Sequence, residues 1–182
     1  MKKVYLIRHA LPDFPGGKRM CIGMTDIPLG EQGFSQSAKM AVHLPPVTAV
    51  FSSPLSRAVQ TAQAIGMPIT ILGGLREMYA GEWDGITFDE IRLKYPDLYA
   101  ARANDLTLPL PGAEDYETGF VRFTAAMQTA AEISSGDFAV VSHGGIIAQF
   151  LQKISGAWYK PDYVQIITLY YENGTFALQE EK

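Results

Sequence analysis

The chain has 182 residues, 47% hydrophobic and 19% charged, which suits one domain with a sizeable core and speaks against disorder. Fifteen basic against nineteen acidic residues give a formal charge of −4, so no overall field favours nucleic acid and an anionic ligand must be caught by local cations. The single cysteine, Cys21, rules out an internal disulfide framework and suits a reducing cytoplasm, and no apolar run is long enough for a membrane span or a signal peptide.

In chain order, Val4–Ile7 reads as a short buried strand that stops at Arg8-His9. Leu11–Arg19 is a loop with two prolines and a Gly-Gly pair. Apolar residues at helical spacing predict a helix over Glu31–Leu44, stopped by Pro45-Pro46, with His43 near its C-terminus. Val47–Phe51 is a second strand. Ser53-Pro54 then reads as the cap and first residue of a helix through Arg57, Ala58 and Ala62. Ile69–Leu72 is a third strand, and 73–113 is loop and short helix, an excursion over one edge. Asp115–Ile133 is a long helix. Phe138–Val141 is a fourth strand that runs through Ser142-His143-Gly144-Gly145 into a helix over Ile146–Ile154. Val164–Tyr171 and Thr175–Gln179 flank Glu172-Asn173-Gly174, a hairpin signal. Strands alternating with helices predict a three-layer α/β/α sandwich, mostly parallel with an antiparallel edge, in one domain over 1–182 with a lid-like excursion within 73–123.

Four strand ends carry chemistry. Arg8 and His9 follow the first, Arg57 the second, Glu77 the third and His143 the fourth, on the edge where open α/β sheets bind ligands. Each is weak alone, because a strand-end histidine is usually structural. Five suitable groups at four equivalent places point to phosphoryl transfer, which needs cations around the phosphate oxygens, an in-line nucleophile and a proton for the leaving oxygen. His9 is the expected nucleophile, kept neutral by nearby positive charge, with its other ring nitrogen donating to a backbone carbonyl. Arg8 and Arg57 are expected to grip phosphate, Gly144 and Gly145 to offer backbone N–H groups at a helix start, and Glu77 to serve as acid and base. No metal or cofactor is expected.

The stretches RHA, TDIPLGEQG, FSSPLSRAVQTA, LREMYAGEWDG and VVSHGG together resemble the histidine phosphatase superfamily, also called phosphoglycerate mutase-like. The likeness runs in order from Lys3 to about Ser155. CIGMTDIPL with GEWDGITFDEI is most similar to the small-phosphatase branch that includes alpha-ribazole phosphatases. The resemblance implies a nucleophile at His9, phosphate-binding Arg8, Arg57 and His143, and an acid/base at Glu77. It also implies hydrolysis of a small phosphorylated metabolite, with a homodimer left open. Two departures stand out. Ala10 replaces the usual glycine, so the backbone there should run at negative φ with its N–H facing the phosphate site. An asparagine common in the next loop is missing, and Lys18, Arg19 or Thr25 are candidates to stand in.

Other assignments compete. Asp26 reads as a cap or brace, Cys21 as a small buried thiol, and Glu82 and Asp84 rival Glu77 as acid. Tyr79, Trp83, Phe88 and Tyr95 read as core first and cleft floor second. No G-x-S-x-G elbow supports an esterase. A mutase and a non-catalytic phosphate-binding module are the remaining alternatives; the short chain favours hydrolysis over the former.

Overall fold

The computed structural model describes residues 1–179. Its strands are β1 (Lys2–Arg8), β2 (Met20–Cys21), β3 (Ala49–Ser52), β4 (Ile69–Ile71), β5 (Ile86–Thr87), β6 (Phe138–Ser142), β7 (Ile166–Glu172) and β8 (Thr175–Leu178). Its α-helices are α1 (Glu31–His43), α2 (Ser56–Gln63), α3 (Phe88–Lys94), α4 (Pro96–Asn104), α5 (Tyr116–Ile133) and α6 (Gly144–Ser155). The main sheet has the order β4-β3-β6-β1-β7-β8. The first four of these strands are mutually parallel, and β7 and β8 close one side antiparallel. This is the expected mostly parallel α/β architecture with an antiparallel edge.

The core explains why β1 and β6 show no polar alternation. Both faces of these strands are covered, so each face needs apolar side chains. Val4, Leu6, Phe138 and Val140 pack against Phe123, Met127, Ile146 and Phe150 of α5 and α6. Tyr5, Ile7, Ala139 and Val141 pack against Met40 of α1 and Ala58 and Ala62 of α2. A smaller cluster of Ala80, Trp83 and Ile91 with Phe88 and Tyr95 consolidates the excursion. Trp83, Phe88 and Tyr95 are therefore packing residues first.

Register sets the functional edge. Arg8 stands opposite Ser142 and Ser52 opposite Val141, so β1, β6 and β3 end side by side. The bonds His9 N–H to Ser142 O (2.9 Å) and Ser53 N–H to Val141 O (3.0 Å) extend the ladders by one residue. His9, Ser53 and His143 thus follow directly on the three central strand ends.

Local differences from the sequence reading have physical causes. Ser53-Pro54 does not open α2; the helix begins at Ser56, with Leu55 at its N-cap and no cap from its own segment. Asp26 supplies that cap from elsewhere in the chain, accepting from the Ser56 N–H (2.8 Å) and hydroxyl (2.7 Å). The sixth helix starts at Gly144, earlier than expected. Met20–Cys21, just after the expected loop, pairs with β5. Strand β7 begins at Ile166 rather than Val164, because Val164 holds φ at +56°. The hairpin is as expected: Asn173 and Gly174 have φ of 50° and 81°, the left-handed pair that a type I′ turn requires. Gln179 lies beyond the end of β8.

Phe150 is fully buried, with its ring against Phe120, Phe123 and Phe176. Phe150→Ala should destabilise the fold by about 3–5 kcal/mol through lost burial and a cavity. Chemical denaturation of both proteins measures this.

Candidate active site

A cavity of about 340 Å³ opens at this sheet edge. Arg8, His9, Glu77, Gly144, Lys160 and Tyr163 line its polar end, and Phe14, Met20, Leu106, Leu110 and Trp158 are among its apolar walls. His9 is 4% exposed. Its Nδ1 lies 2.7 Å from the Ala10 carbonyl oxygen. A carbonyl only accepts, so Nδ1 carries the proton and Nε2 keeps the lone pair. This is the tautomer a nucleophile needs. Burial, then Arg57 and Arg8, hold the His9 pKa well below its ordinary value, so the ring is neutral at neutral pH.

Behind His9, Arg57 and His143 are both 0% exposed, and neither lines the cavity. Arg57 donates Nε–H to His143 Nδ1 (3.3 Å), Nη1–H to the Thr25 carbonyl (2.9 Å) and Nη2–H to the Gly23 carbonyl (2.9 Å). Because His143 Nδ1 accepts, its Nε2–H donates to Ser53 Oγ at 2.7 Å. The His143 pKa is likewise well below ordinary, through burial first and Arg57 second. The two histidine rings sit 5.0 Å apart. The structure therefore gathers Arg57, His9 and His143 as expected, but it gives Arg57 and His143 a backing position with most of their polar atoms already occupied.

Thr25 does not line the cavity. It serves the site by offering its carbonyl to Arg57. Asp84 holds that loop by accepting from the N–H groups of Gly23 (3.2 Å), Met24 (2.6 Å) and Thr25 (3.0 Å). Burial pushes the Asp84 carboxyl up, but the bonds from Thr25, Met24 and Gly23 outweigh it and hold the pKa below ordinary. Asp84 does not line the cavity, and this sets it apart from the acid role. Glu82 accepts from the Tyr95 hydroxyl at 2.6 Å and is also outside the cavity. Arg19 lines the cavity and Lys18 does not. Cys21 forms part of the wall, and burial, then Asp84, push its thiol up to about 12, so it stays protonated.

Glu77 also lines the cavity. Its carboxylate accepts from the N–H groups of Gly145 (2.8 Å), Ile146 (2.7 Å) and Met78 (3.0 Å), and so occupies the start of α6. This corrects the expectation that the Gly145 N–H faces a phosphate. The two glycines have separate steric causes. A Cβ on Gly145 would stand 2.9 Å from Glu77 Oε1, and one on Gly144 would stand 2.9 Å from Arg8 Nε. Arg122, which the sequence reading missed, fixes the segment that carries Glu77. It donates to the carbonyls of Gly74 (2.6 Å), Arg76 (2.9 Å) and Glu77 (3.4 Å) while paired with Glu114 (2.8 Å). Its signal was faint: one basic residue on the otherwise largely apolar helix α5.

Ala10 is fully buried and runs at negative φ, as expected. Its N–H, however, donates to Thr61 Oγ1 at 2.9 Å and does not face the cavity. A methyl is tolerated there because the N–H serves α2, not a ligand.

The family model described as Histidine phosphatase superfamily (branch 1) matches residues 4–180. The glucosyl-3-phosphoglycerate phosphatase of Mycolicibacterium vanbaalenii is 29% identical over 171 residues, covering 86% of this chain and 75% of that protein. A metal-independent phosphoserine phosphatase of Arabidopsis thaliana is 29% identical over 168 residues, 85% of this chain and 69% of that protein. Among solved structures, a mycobacterial glucosyl-3-phosphoglycerate phosphatase superposes with TM-score 0.85 at 24% identity, covering 98% of both chains. The alpha-ribazole phosphatase of Shigella flexneri gives TM-score 0.80 at 21% identity, covering 97% of this chain and 94% of that one. At those identities the superpositions speak to the fold.

The lowered histidine pKa values make a pH prediction with a fixed sign. Below about 6.5 the unfolded chain takes up protons that folded His9 and His143 refuse, so stability falls as pH drops through that region. Ring-nitrogen NMR should show both histidines neutral at pH 6.5. The urea midpoint should fall between pH 7.5 and 5.5, where carboxylates are still ionised.

Proposed function

The chain belongs to the histidine phosphatase superfamily (branch 1), and from that premise we propose that it hydrolyses a small phosphorylated metabolite through a phosphohistidine on His9, without a metal. The observation that carries this reading is the fixed tautomer of His9. Its Nδ1–H is held by Ala10, and its neutral ring stands in the cavity wall between Arg8 and the buried Arg57. In the first step the Nε2 lone pair forms the N–P bond while the P–O bond to the alcohol breaks. Glu77 delivers a proton to the leaving oxygen. In the second step Glu77 takes a proton from water as the water oxygen bonds phosphorus. The N–P bond then breaks and its electron pair returns to Nε2.

Electrostatics supports the same division of labour. Arg8 faces the incoming phosphate, while Arg57 sets the field on His9 from behind. Burial lowers the pKa of both guanidinium groups, and both remain cations at any working pH. Positive charge of this kind is what a metal would otherwise bring. Among the described residues, no three His, Cys, Asp or Glu side chains are grouped to hold a metal ion. A relative of similar sequence carries metal-independent in its name, and the relatives' substrates, phosphoserine and glucosyl-3-phosphoglycerate, are small phosphorylated metabolites. The apolar outer wall suits the organic part of such an ester.

His9→Ala should abolish release of phosphate from 4-nitrophenyl phosphate while leaving the unfolding midpoint in place. Rapid-quench labelling should find acid-labile, base-stable phosphate on the native protein, with or without chelator. Label on His9→Ala, or activity that needs added Mg²⁺, would overturn the reading.

Glu77→Gln should slow alkyl phosphates about 10²–10⁴-fold, the usual worth of a general acid. 4-Nitrophenyl phosphate, whose leaving group needs little protonation, should suffer less when chemistry limits the rate. Equal losses on the two esters would assign Glu77 to binding.

A further inference from the structure

The connection from α6 to β7 carries a cation that the chemistry above does not use. This connection is latched onto Arg8 at three points. Arg8 Nη1–H donates to the Pro161 carbonyl (2.8 Å), the Val164 N–H donates to the Arg8 carbonyl (3.0 Å), and the Arg8 guanidinium lies 3.9 Å over the Tyr163 ring. Val164 adopts a left-handed φ of +56°, costly for a β-branched residue and kept only where surrounding contacts impose it. The latch brings Lys160 into the cavity wall beside Arg8, His9 and Glu77. Lys160 Cε stands 3.0 Å from the point where a Cβ on Gly144 would be, and Arg8 Nε stands 2.9 Å from that same point. Two cations therefore converge over the first residue of α6.

Glu77 acts through space on both cations and Asp162 on Arg8, but among the described residues no carboxylate forms a salt bridge with either. Arg8 Nε is buried without a hydrogen-bond partner, and Lys160 makes no hydrogen bond or salt bridge there. The acid nearest in role, Glu77, has its carboxylate on the N–H groups of α6. Lys160 is exposed by surface area because it projects into an open cleft, yet protein packed around it desolvates the ammonium. That desolvation, followed by repulsion from Arg8, lowers its pKa. Like charges held together at a cost are relieved when an anion sits between them.

We propose that Lys160 is a further phosphate-binding catalytic residue, whose ammonium joins Arg8 in holding the oxygens of the phosphoryl group that His9 accepts. This inference rests on the phosphatase reading only for the identity of the transferred group. Lys160 is a point donor on a flexible stem, so it can follow phosphorus as the group moves from ester to His9, whereas Arg8 is fixed by its latch.

The test measures inorganic phosphate affinity by calorimetry, alongside kcat/KM for 4-nitrophenyl phosphate, in the full chain and in Lys160→Met and Lys160→Arg. Loss of one charge-assisted hydrogen bond should weaken phosphate binding and kcat/KM about ten- to hundredfold in Lys160→Met, with an unfolding midpoint no lower than that of the native protein, since a repulsive charge has been removed. Lys160→Arg should recover most of the loss, which a packing role would not allow. Native-like phosphate affinity and kcat/KM in Lys160→Met would overturn the proposal while leaving the phosphatase reading in place. Phosphate that binds the native protein through Lys160, with no ester hydrolysed, would leave Lys160 a phosphate ligand and overturn its catalytic role together with the phosphatase reading.

Discussion

A fully buried guanidinium is the demand around which this end of the molecule is arranged. Taking the Arg57 charge out of water costs on the order of several kcal/mol unless its donors are met. They are met by two carbonyls from one loop, Gly23 and Thr25, and by one nitrogen of His143. The loop can present those carbonyls only because Asp84 gathers its three N–H groups from below. Asp26, from the same loop, meanwhile caps the helix that carries Arg57. The positive charge so held is a main reason, after burial, that His9 and His143 stay neutral. Structure and reactivity share one cause here.

The opposite wall follows from the start of α6. Its free N–H groups need an acceptor, and Glu77 supplies it from a segment that Arg122 clamps by three carbonyls. A carboxylate at that helix end is favoured by the helix dipole as well as by the hydrogen bonds. The glycine pair is then a steric requirement. Gly145 lets Glu77 approach, and Gly144 leaves room for Arg8 and Lys160. Glu77 and the two cations thereby approach the start of α6 at adjacent glycines.

Much of the architecture was readable because it is local. An apolar run ended by charge identified β1 and placed Arg8 and His9 at its end. An Asn-Gly pair between apolar stretches identified the β7–β8 hairpin. Helical spacing identified α1 and α5. The reading failed where distant groups replaced local ones. Ser53-Pro54 looks like a helix start, but the α2 cap comes from Asp26, and Ser53 instead receives the His143 Nε2–H. The Gly145 N–H looked available to a ligand, but it belongs to Glu77. The Ala10 N–H likewise belongs to Thr61.

The sequence by itself determined which chemistry-bearing residues stand at strand ends, since strand and helix periodicity and turn residues act over a few neighbours. It also determined the sign of φ at position 10, because alanine, unlike glycine, disfavours positive φ. Only the tertiary structure decided which of those residues face the cavity and which stand behind it. Arg57 and His143 went to the interior, Glu77 to a helix start 68 residues away, and Lys160 into the wall beside Arg8. The reason is that hydrogen bonds across such separations depend on sheet register and on competition among all buried donors for acceptors. No stretch of sequence carries that competition, which is resolved only when the strands are side by side.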